Sequence, residues 1–386
     1  SVLFHRLNGS EHGGATDPKG RITVETPALP GDSGSAEPKA GVVCTTYRAG
    51  EALISWCEHH LGLGFASLLL VFDHLGEEGE RALAERVRCR FPGRVTIWDG
   101  EELLREGWKE LPSDVETEEL RRLASGGASS YAHAARQTLN ASRALLAAQG
   151  KLVGPHGLEP LDWLLHLDSD ELFHLEGTGR GGATLAEHWS AAKAAGLLRL
   201  RYANHELLLP HPPGSPARFK LNPRLAAARL GAAGWRELQA HLAMSQQDRR
   251  PYFRAYHNGK SAVFVPAARR AKGVHGWEVE DDGQDRSAFL AGPSVLHLHL
   301  PTFAAFSRAY RAKAEAPLLD ATQRPFPPSP LEEAALAVAL TEGESKAADL
   351  ETVYRETTHF RAEDLALLEE AGLLLTPDLS LPEPEG

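Results

Sequence analysis

Cysteine is scarce in this sequence: the 386 residues include three, Cys44, Cys57 and Cys89. This number excludes a disulfide framework, because one bridge at most can form and one thiol is then left over. The sequence also lacks a Cys-x-x-Cys pairing, so a structural zinc site has little support. A chain of this length is too long for a small cross-linked module and long enough for one large α/β domain or two smaller ones.

The sequence also has fewer basic than acidic residues, and it contains no long apolar run. The net charge of −11 argues against a general nucleic-acid-binding face, and a phosphate-bearing ligand would need a local cation. The apolar runs are far shorter than a membrane span, and no signal peptide is visible at Ser1. Since the chain does not begin with Met, we expect the natural protein to carry an N-terminal segment that is missing here.

Strands and helices alternate after an N-terminal arm. Residues 1–40 are rich in Gly, Pro, Ser and Asp and predict a poorly packed arm or stem. Apolar runs and helical spacing then predict a strand, a helix, a strand, a helix and a strand, at 41–46, 51–61, 67–72, 77–90 and 94–98. This order predicts a parallel sheet with helices on both faces. Such sheets bind ligands at the carboxyl ends of their strands, where Asp73 follows the second strand.

The later part of the chain continues the alternation. Further strands are predicted at 161–167, 197–202, 260–265 and 295–300, and further helices at 130–149 and 302–313. The charged, partly Gly-rich stretch 99–129 predicts a mobile insertion, and 207–236 predicts a loop-rich region. From about residue 327 the sequence is acidic and Pro-punctuated, with helices predicted at 331–340 and 362–373. We therefore expect an arm over 1–40, a main domain over 41–326 and a helical C-terminal extension over 327–386.

The run LDWLLHLDSDELFHL, residues 161–175, places acidic side chains directly after an apolar strand. Because side chains alternate along a strand, Asp168 and Asp170 are predicted to project the same way and to repel each other. A divalent ion such as Mn²⁺ or Mg²⁺, which prefers oxygen ligands, would neutralise them. The alternative is a solvated turn in which Ser169 or Asp170 caps a short helix.

Three histidines are candidates for a metal shell. His297 and His299 are two apart in the predicted strand VLHLHL and so share a face, and His275 lies in the predicted loop GVHGW. An imidazole nitrogen from one of them would complete an oxygen-rich site. For each single histidine, the alternative is a partly buried, hydrogen-bonded side chain.

Several stretches together resemble the family-92-like glycosyltransferases. The matching stretches are VCTTYRAGE at 43–51, ISWCEHHLG at 54–62, 69–73, RQTLN at 136–140, WLLHLDSDE at 163–171, NHE at 204–206, FK at 219–220, GKS at 259–261, GVH at 273–275 and LH at 298–299. They span about residues 43 to 313, roughly 70% of the chain. Their order and spacing carry the resemblance, since each stretch alone is a loose match.

The resemblance implies a GT-A fold, in which a Rossmann-like, mostly parallel central sheet flanked by helices binds a nucleotide-sugar. It also implies transfer of a sugar, from a donor that is UDP-linked, onto a hydroxyl of a glycan or glycoconjugate in the Golgi lumen, with Mn²⁺ as cofactor. A membrane anchor would then belong to the segment that this chain lacks.

The metal and diphosphate are assigned to the DxD motif on this basis. Asp170 is the expected direct ligand, and Asp168 is expected to bind the metal through water or to contact the ribose. His299 is the preferred third ligand, followed by His275, and Asp73 is expected near the base or ribose. For Asp73 the alternative is a turn cap.

Other residues are candidates for acid–base catalysis and for phosphate binding. Glu206 is the leading candidate for the general base of an inverting transfer, with Glu171 as its competitor. Three cations, Lys220, Lys260 and Arg254, are expected to contact phosphates, the alternative being solvated surface charges.

Two other classes of function stay open. A divalent-metal hydrolase of phosphoesters uses the same Asp and His types, although it usually needs more clustered ligands. A glycan-binding module could retain the fold without turnover. The sequence specifies neither the sugar nor the acceptor, and leaves inversion and retention of configuration both open.

Overall fold

A computed structural model describes the protein over residues 37–126, 130–152, 158–175, 184–209, 215–245, 252–254, 256–280, 284–315 and 345–379. Nearly all of the predicted arm, the predicted helix at 331–340 and the predicted boundary after residue 326 lie outside these ranges. The chain divides into two compact units. The first comprises Ser1–Ala203 and Asn258–Val295, and the second comprises Asn204–His257 and Leu296–Gly386.

The first unit is a mixed α/β structure. Its elements are β1 (Ala40–Thr46), α1 (Ala52–Leu63), β2 (Ser67–Phe72), α2 (Glu78–Arg90), β3 (Val95–Asp99), α3 (Gly100–Glu106), α4 (Val115–Ala124), α5 (Ser130–Ala148), β4 (Trp163–His166), β5 (Glu171–His174), α6 (Leu185–Ala194), the first part of β6 (Arg199–Leu207), β8 (Lys260–Phe264), β9 (Ala268–Ala271), β10 (Trp277–Val279) and most of β11 (Ser287–His297). The strands and helices predicted before residue 99 are confirmed.

The sheet of this unit has the strand order β3-β2-β1-β4-β8-β6. The four strands from β3 to β4 are parallel, as the alternating pattern predicts, and β8 pairs antiparallel with both β4 and β6. Strand β11 pairs with β5 and β6, and β9 and β10 form a separate hairpin. The α/β class is therefore confirmed, with parallel strands whose carboxyl ends share one edge.

Residues 99–126, the described part of the stretch, are not the mobile insertion that the sequence predicts over 99–129. They contain α3 and α4, whose first turns are capped by the side chains of Asp99 and Asp114. Trp108 and Leu120, 1% and 5% exposed, pack into a hydrophobic cluster of the unit. The prediction failed because charge and glycine are typical of loops, whereas these few apolar side chains are enough to anchor two short helices.

The second unit contains the end of β6, β7 (Phe219–Lys220), α7 (Pro223–Ser245), α8 (Phe303–Glu315), α9 (Ser345–Thr358), α10 (Ala362–Glu370) and β12 (Leu374–Leu375). Its strands are antiparallel in the order β12-β7-β6. The prediction of a loop-rich region over 207–236 is wrong from Pro223 onward. The Ala- and Leu-rich sequence forms a helix that kinks at Gly231, where φ is 70°.

No helix among the described residues has both the length and the apolar character that crossing a membrane requires. All three cysteines are free thiols; Cys44 and Cys57 are buried, and Cys89 is exposed.

Candidate functional site

The acidic motif lies in a turn between two strands of the first unit. Strand β4 ends at His166, β5 begins at Glu171, and the residues between them are not extended. The backbone N–H of Glu171 donates to the Asp168 carbonyl (3.1 Å), and the Glu171 carboxylate accepts from the Asp168 N–H (2.8 Å). The expectation that Asp168 and Asp170 project together from a strand is therefore wrong, because hydrogen bonds close the backbone into a turn.

A buried lysine neutralises this turn. Lys260 Nζ donates to Asp168 Oδ2 at 2.6 Å and lies 3.3 Å from Glu171 Oε2. The side chains of Lys260 and Glu171 are fully buried, whereas that of Asp168 is 27% exposed. Burial alone would lower the pKa of Lys260 and raise that of Asp168, but their opposite charges outweigh it and shift both pKa values the other way. Lys260 thus neutralises Asp168, one of the two carboxylates for which the sequence predicts a metal ion.

The backbone around Lys260 is specified by a glycine and a histidine loop. Gly259 has φ of 76°, and a Cβ there would lie well inside van der Waals contact with the Tyr202 carbonyl oxygen. The Gly259 carbonyl lies 3.0 Å from His275 Nδ1, and Ser261 Oγ donates to the His275 carbonyl at 2.6 Å. These contacts hold the start of β8 so that Lys260 points at the acidic turn.

Helix α5 carries three polar side chains that contact three strand ends. Arg136 donates through Nε to both carboxylate oxygens of Asp73 (3.0 and 2.9 Å), after β2. Gln137 Nε2 donates to Asp168 Oδ1 (2.8 Å), after β4. Asn140 Nδ2 donates to Thr45 Oγ1 (3.1 Å) on β1. Sequence reasoning assigned no site role to these residues, although the stretch RQTLN was visible as a motif.

Asp73 is tightly held by this helix. Its side chain is 1% exposed and also contacts His133 Nδ1 at 3.1 Å. Burial would raise the pKa of Asp73, but hydrogen bonds and charge from His133 and Arg136 lower it. Asp73 is therefore an ionised, buried carboxylate with internal partners, and its contact with a base or ribose stays a prediction.

The stretch WCEHH on α1 supports the backbone just after the acidic turn. Trp56 Nε1 donates to the Glu171 carbonyl (2.7 Å), and His60 Nε2 accepts from the Phe173 N–H (3.1 Å). His60 Nδ1 and His59 Nε2 contact the carbonyls of Trp56 and Phe173 at 2.8 and 2.7 Å. Burial lowers the pKa of both histidines, which act here as neutral hydrogen-bonding groups. The resemblance motif thus positions β5.

Two further neutral imidazoles lie near Asp168. Burial and the charge of Lys260 lower the pKa values of His166 and His275 to about 3 each. His166 is 3% exposed, and its Nε2 has no hydrogen-bond partner among the described residues. Sequence reasoning missed His166, because a histidine within an apolar strand is indistinguishable from a packed one until its neighbours are known.

The donor atoms of the first unit suit a hard divalent ion at Asp170 better than at Asp168. Both oxygens of Asp168 already accept hydrogen bonds, from Gln137 and from Lys260. Asp170 is partly exposed at the tip of the turn and offers carboxylate oxygens. The neutral imidazole of His275 contacts a backbone carbonyl through Nδ1, the pattern that usually orients a metal-ligating histidine.

The second unit contains Glu206, Lys220 and Arg254 in one buried cluster. Lys220 Nζ donates to Glu206 Oε2 (2.8 Å) and to the Tyr252 carbonyl (2.8 Å), and the Arg254 backbone N–H donates to Glu206 Oε2 (2.9 Å). The side chains of Glu206, Lys220 and Arg254 are 0%, 1% and 3% exposed, so none is a solvated surface charge. Lys220 Nζ also lies 4.9 Å from the Phe360 ring centroid.

This cluster weakens the case for Glu206 as a general base. Burial would raise its pKa, but the charges of Lys220 and Arg254 lower it to about 2. A base works best with a pKa near the working pH, so a carboxylate this acidic is a weak proton acceptor. Glu171, the competing candidate, is buried against Lys260.

His299 lies just beyond the end of β11 rather than on the strand. Its ring centroid is 5.2 Å from that of His297, which is in turn 5.2 Å from the ring of Tyr256. The positive charge of a protonated His299 would also lower the pKa of Glu206. The structure thus brings His299 to the Glu206 cluster within the second unit.

A scan against protein-family models and a search of curated proteins both found no match for this chain. The resemblance to the family-92-like glycosyltransferases therefore stays a prediction that rests on the motifs.

Proposed function

We propose that the protein is a metal-dependent glycosyltransferase of the GT-A type, which moves a sugar from a nucleotide-sugar, UDP-linked, to a hydroxyl of a glycan or glycoconjugate. The family resemblance further suggests that it works in the Golgi lumen. The observation that carries the proposal is the position of the acidic turn at the carboxyl end of β4, within a run of parallel strands. Open α/β sheets bind nucleotides at that edge.

Polar side chains gathered at this edge support the same proposal. Thr45, Asp73 and Asp168 lie at or just beyond the carboxyl ends of three of the parallel strands, and α5 contacts all three. Such a network fixes the side chains before a ligand arrives, which lowers the cost of ordering them on binding. A nucleotide would therefore bind to a rigid polar surface rather than to mobile loops.

Asp170 would hold Mn²⁺ or Mg²⁺, with His275 and His299 as the imidazoles that the sequence assigns to it. When bound, the ion would stabilise the negative charge of the departing diphosphate. Lys260, Gln137 and Glu171 would keep the turn in position, and Asp168, already neutralised by Lys260, would contact the ribose or a metal-bound water.

A glycan-binding module without turnover is the second candidate. The observation that favours it is that Glu206 and Glu171 are both buried and bonded to lysines. An inverting transferase needs a base for the acceptor hydroxyl, and neither carboxylate is placed to serve easily.

The Asp170→Asn variant tests the proposal. The full chain is screened by thermal shift against UDP and a panel of UDP-hexoses and UDP-pentoses, with and without Mn²⁺, and by donor turnover with a panel of glycan acceptors. Wild type should be stabilised by UDP in a Mn²⁺-dependent way. Because the metal contributes several kcal/mol to charge stabilisation, Asp170→Asn should lower turnover by about 100-fold or more.

Asp162→Asn is the matched control, because Asp162 lies on the same segment and contacts Lys193 at 3.1 Å. It should keep the Mn²⁺-dependent response. Unchanged turnover in Asp170→Asn would contradict the metal assignment. Glycan binding without donor turnover would favour the module, and hydrolysis of simple phosphate esters would favour a metallohydrolase. His275→Ala and His299→Ala, made singly, identify which imidazole contributes to Mn²⁺ affinity.

A further inference from the structure

Arg254 of the second unit is a buried cation whose donors are only partly used. Its side chain is 3% exposed, and within the described part of the chain neither Nε nor Nη2 has a hydrogen-bond partner. Nε lies 3.6 Å from Glu206 Oε1, which is an ion pair but too long for a hydrogen bond. A guanidinium carries five N–H donors, and leaving buried donors unbonded is energetically unfavourable.

The acid beside Arg254 is already used by a second cation. Glu206 accepts a 2.8 Å hydrogen bond from Lys220, and that ammonium is further satisfied by the Tyr252 carbonyl and the ring of Phe360. Two buried positive charges thus share one negative charge. The Glu206 pKa of about 2 and the Lys220 pKa of about 8 mean that both of these side chains are charged at neutral pH, and a guanidinium is always protonated in proteins.

The cluster of Glu206, Lys220 and Arg254 therefore has a surplus of one positive charge. A water molecule would satisfy N–H donors but would leave the surplus charge in place. An anion would satisfy the donors and cancel the charge, and the planar fork of arginine matches the two oxygens of a carboxylate or phosphate.

We propose that Arg254 anchors an anion-binding site in the second unit, which takes a carboxylate or phosphate group of a ligand. The group could come from the diphosphate of a nucleotide or from an acidic sugar of a glycan. Anion binding at this site needs neither a metal ion nor sugar transfer, so its test can fail or succeed independently of the test of the function proposed above.

Binding is measured on the full chain by isothermal titration calorimetry and thermal shift, in EDTA and at constant ionic strength. The probes are inorganic phosphate, pyrophosphate and glucuronate, with uncharged glucose as the chemical control. At least one anion should bind wild type, and glucose should not raise its melting temperature in the same way. Preference for pyrophosphate would assign the site to a nucleotide diphosphate, and preference for glucuronate to an acidic glycan.

Arg254→Met should weaken binding of the preferred anion by about 30-fold or more, since a buried charge partner is lost. Arg355→Met is the matched control. Arg355 also belongs to the second unit, but it is 61% exposed and pairs with Glu351 on the surface, so its loss should leave the affinity unchanged.

Two further variants keep the test decisive if Arg254→Met does not fold. Arg254→Lys retains the charge but loses the fork, and should bind the anion about tenfold more weakly. Glu206→Gln removes the competing acid and should bind the anion more tightly than wild type, which a purely structural cluster would not do. The proposal is overturned if no anion binds, if neither Arg254 variant weakens binding, or if Glu206→Gln leaves it unchanged.

Discussion

At the residue scale, one lysine explains why an apolar segment tolerates acidic side chains. Lys260 forms ion pairs with Asp168 and Glu171, and its side chain is fully buried. Removing one partner of a buried ion pair lowers stability far more than removing one partner of a surface pair, because the remaining charges stay buried without a partner. We therefore expect the stability of the acidic turn to depend on Lys260.

Replacing Lys260 by Met, which has a similar length and no charge, should lower the free energy of unfolding by about 3–5 kcal/mol. Urea denaturation in EDTA measures this loss. Added Mn²⁺ should restore part of it, since a cation can neutralise the two carboxylates.

Lys193→Met is the control for Lys260→Met. Lys193 pairs with Asp162 on the surface and is 46% exposed, so its loss should cost no more than about 1 kcal/mol. Equal stability of the two variants would show that Lys260 does not neutralise the turn.

At the element scale, the site is organised by α5 and by the start of β8. Helix α5 contacts the ends of β1, β2 and β4 through Asn140, Arg136 and Gln137. Strand β8 begins after Gly259, where the chain passes so close to the Tyr202 carbonyl that no side chain fits. Both elements are distant from the turn in sequence, and their contacts with it fix its geometry.

Gly259→Ala should destabilise the protein more than the same change at Gly93. Both glycines have similar positive φ, 76° and 71°, but a Cβ at Gly93 would meet nothing within 4 Å. We expect a loss of about 1 kcal/mol for Gly93→Ala from backbone strain alone, and clearly more for Gly259→Ala, which adds the clash. Thermal denaturation of the two variants, side by side, measures the difference; equal losses would contradict the close approach.

At the scale of the whole molecule, each unit has its own hydrophobic core and its own buried charges. The core of the first unit is built on β1 and β2 against α5, and that of the second on α7 and α10. Buried ionisable groups occur in both units, so we expect more than one site to contribute to the pH dependence of stability.

Stability should fall as the pH is lowered from about 6.5. The folded-state pKa values of His166, His275 and His188 are about 3, 3 and 4, whereas an unfolded histidine titrates near 6.5. Between these values the unfolded chain binds more protons, so stability is fully present above pH 6.5 and is lost toward the folded-state values. Each histidine contributes a slope of up to about 1.4 kcal/mol per pH unit.

Urea midpoints at pH 7.5, 6 and 5 measure this slope. His188→Gln, which can still contact the Tyr202 hydroxyl as His188 Nε2 does at 2.9 Å, should reduce the slope by the share of one histidine. Stability that stays constant from pH 7.5 to pH 5 would contradict the neutral, buried state of these histidines.

Local pattern was enough to predict much of the first unit. The strands β1 to β4 and the helices α1, α2 and α5 follow from apolar runs and helical spacing, and their order predicts the parallel pairing. The stretches that failed, 99–129 and 223–236, carry glycine and charge, where propensity favours loops. In both cases a helix forms because its apolar side chains pack into a hydrophobic core whose other residues are distant in sequence.

The sequence by itself determined the α/β class, the apolar strand before the acidic turn, and the residue types from which any site must be built. Only the tertiary structure decided how these residues are partnered: Lys260 contacts Asp168 across 92 positions of sequence, and Arg254 contacts Glu206 across 48. The physical reason is that strands and helices follow from short repeats of hydrophobicity, whereas the partner and the pKa of a charge depend on which distant segment is buried against it.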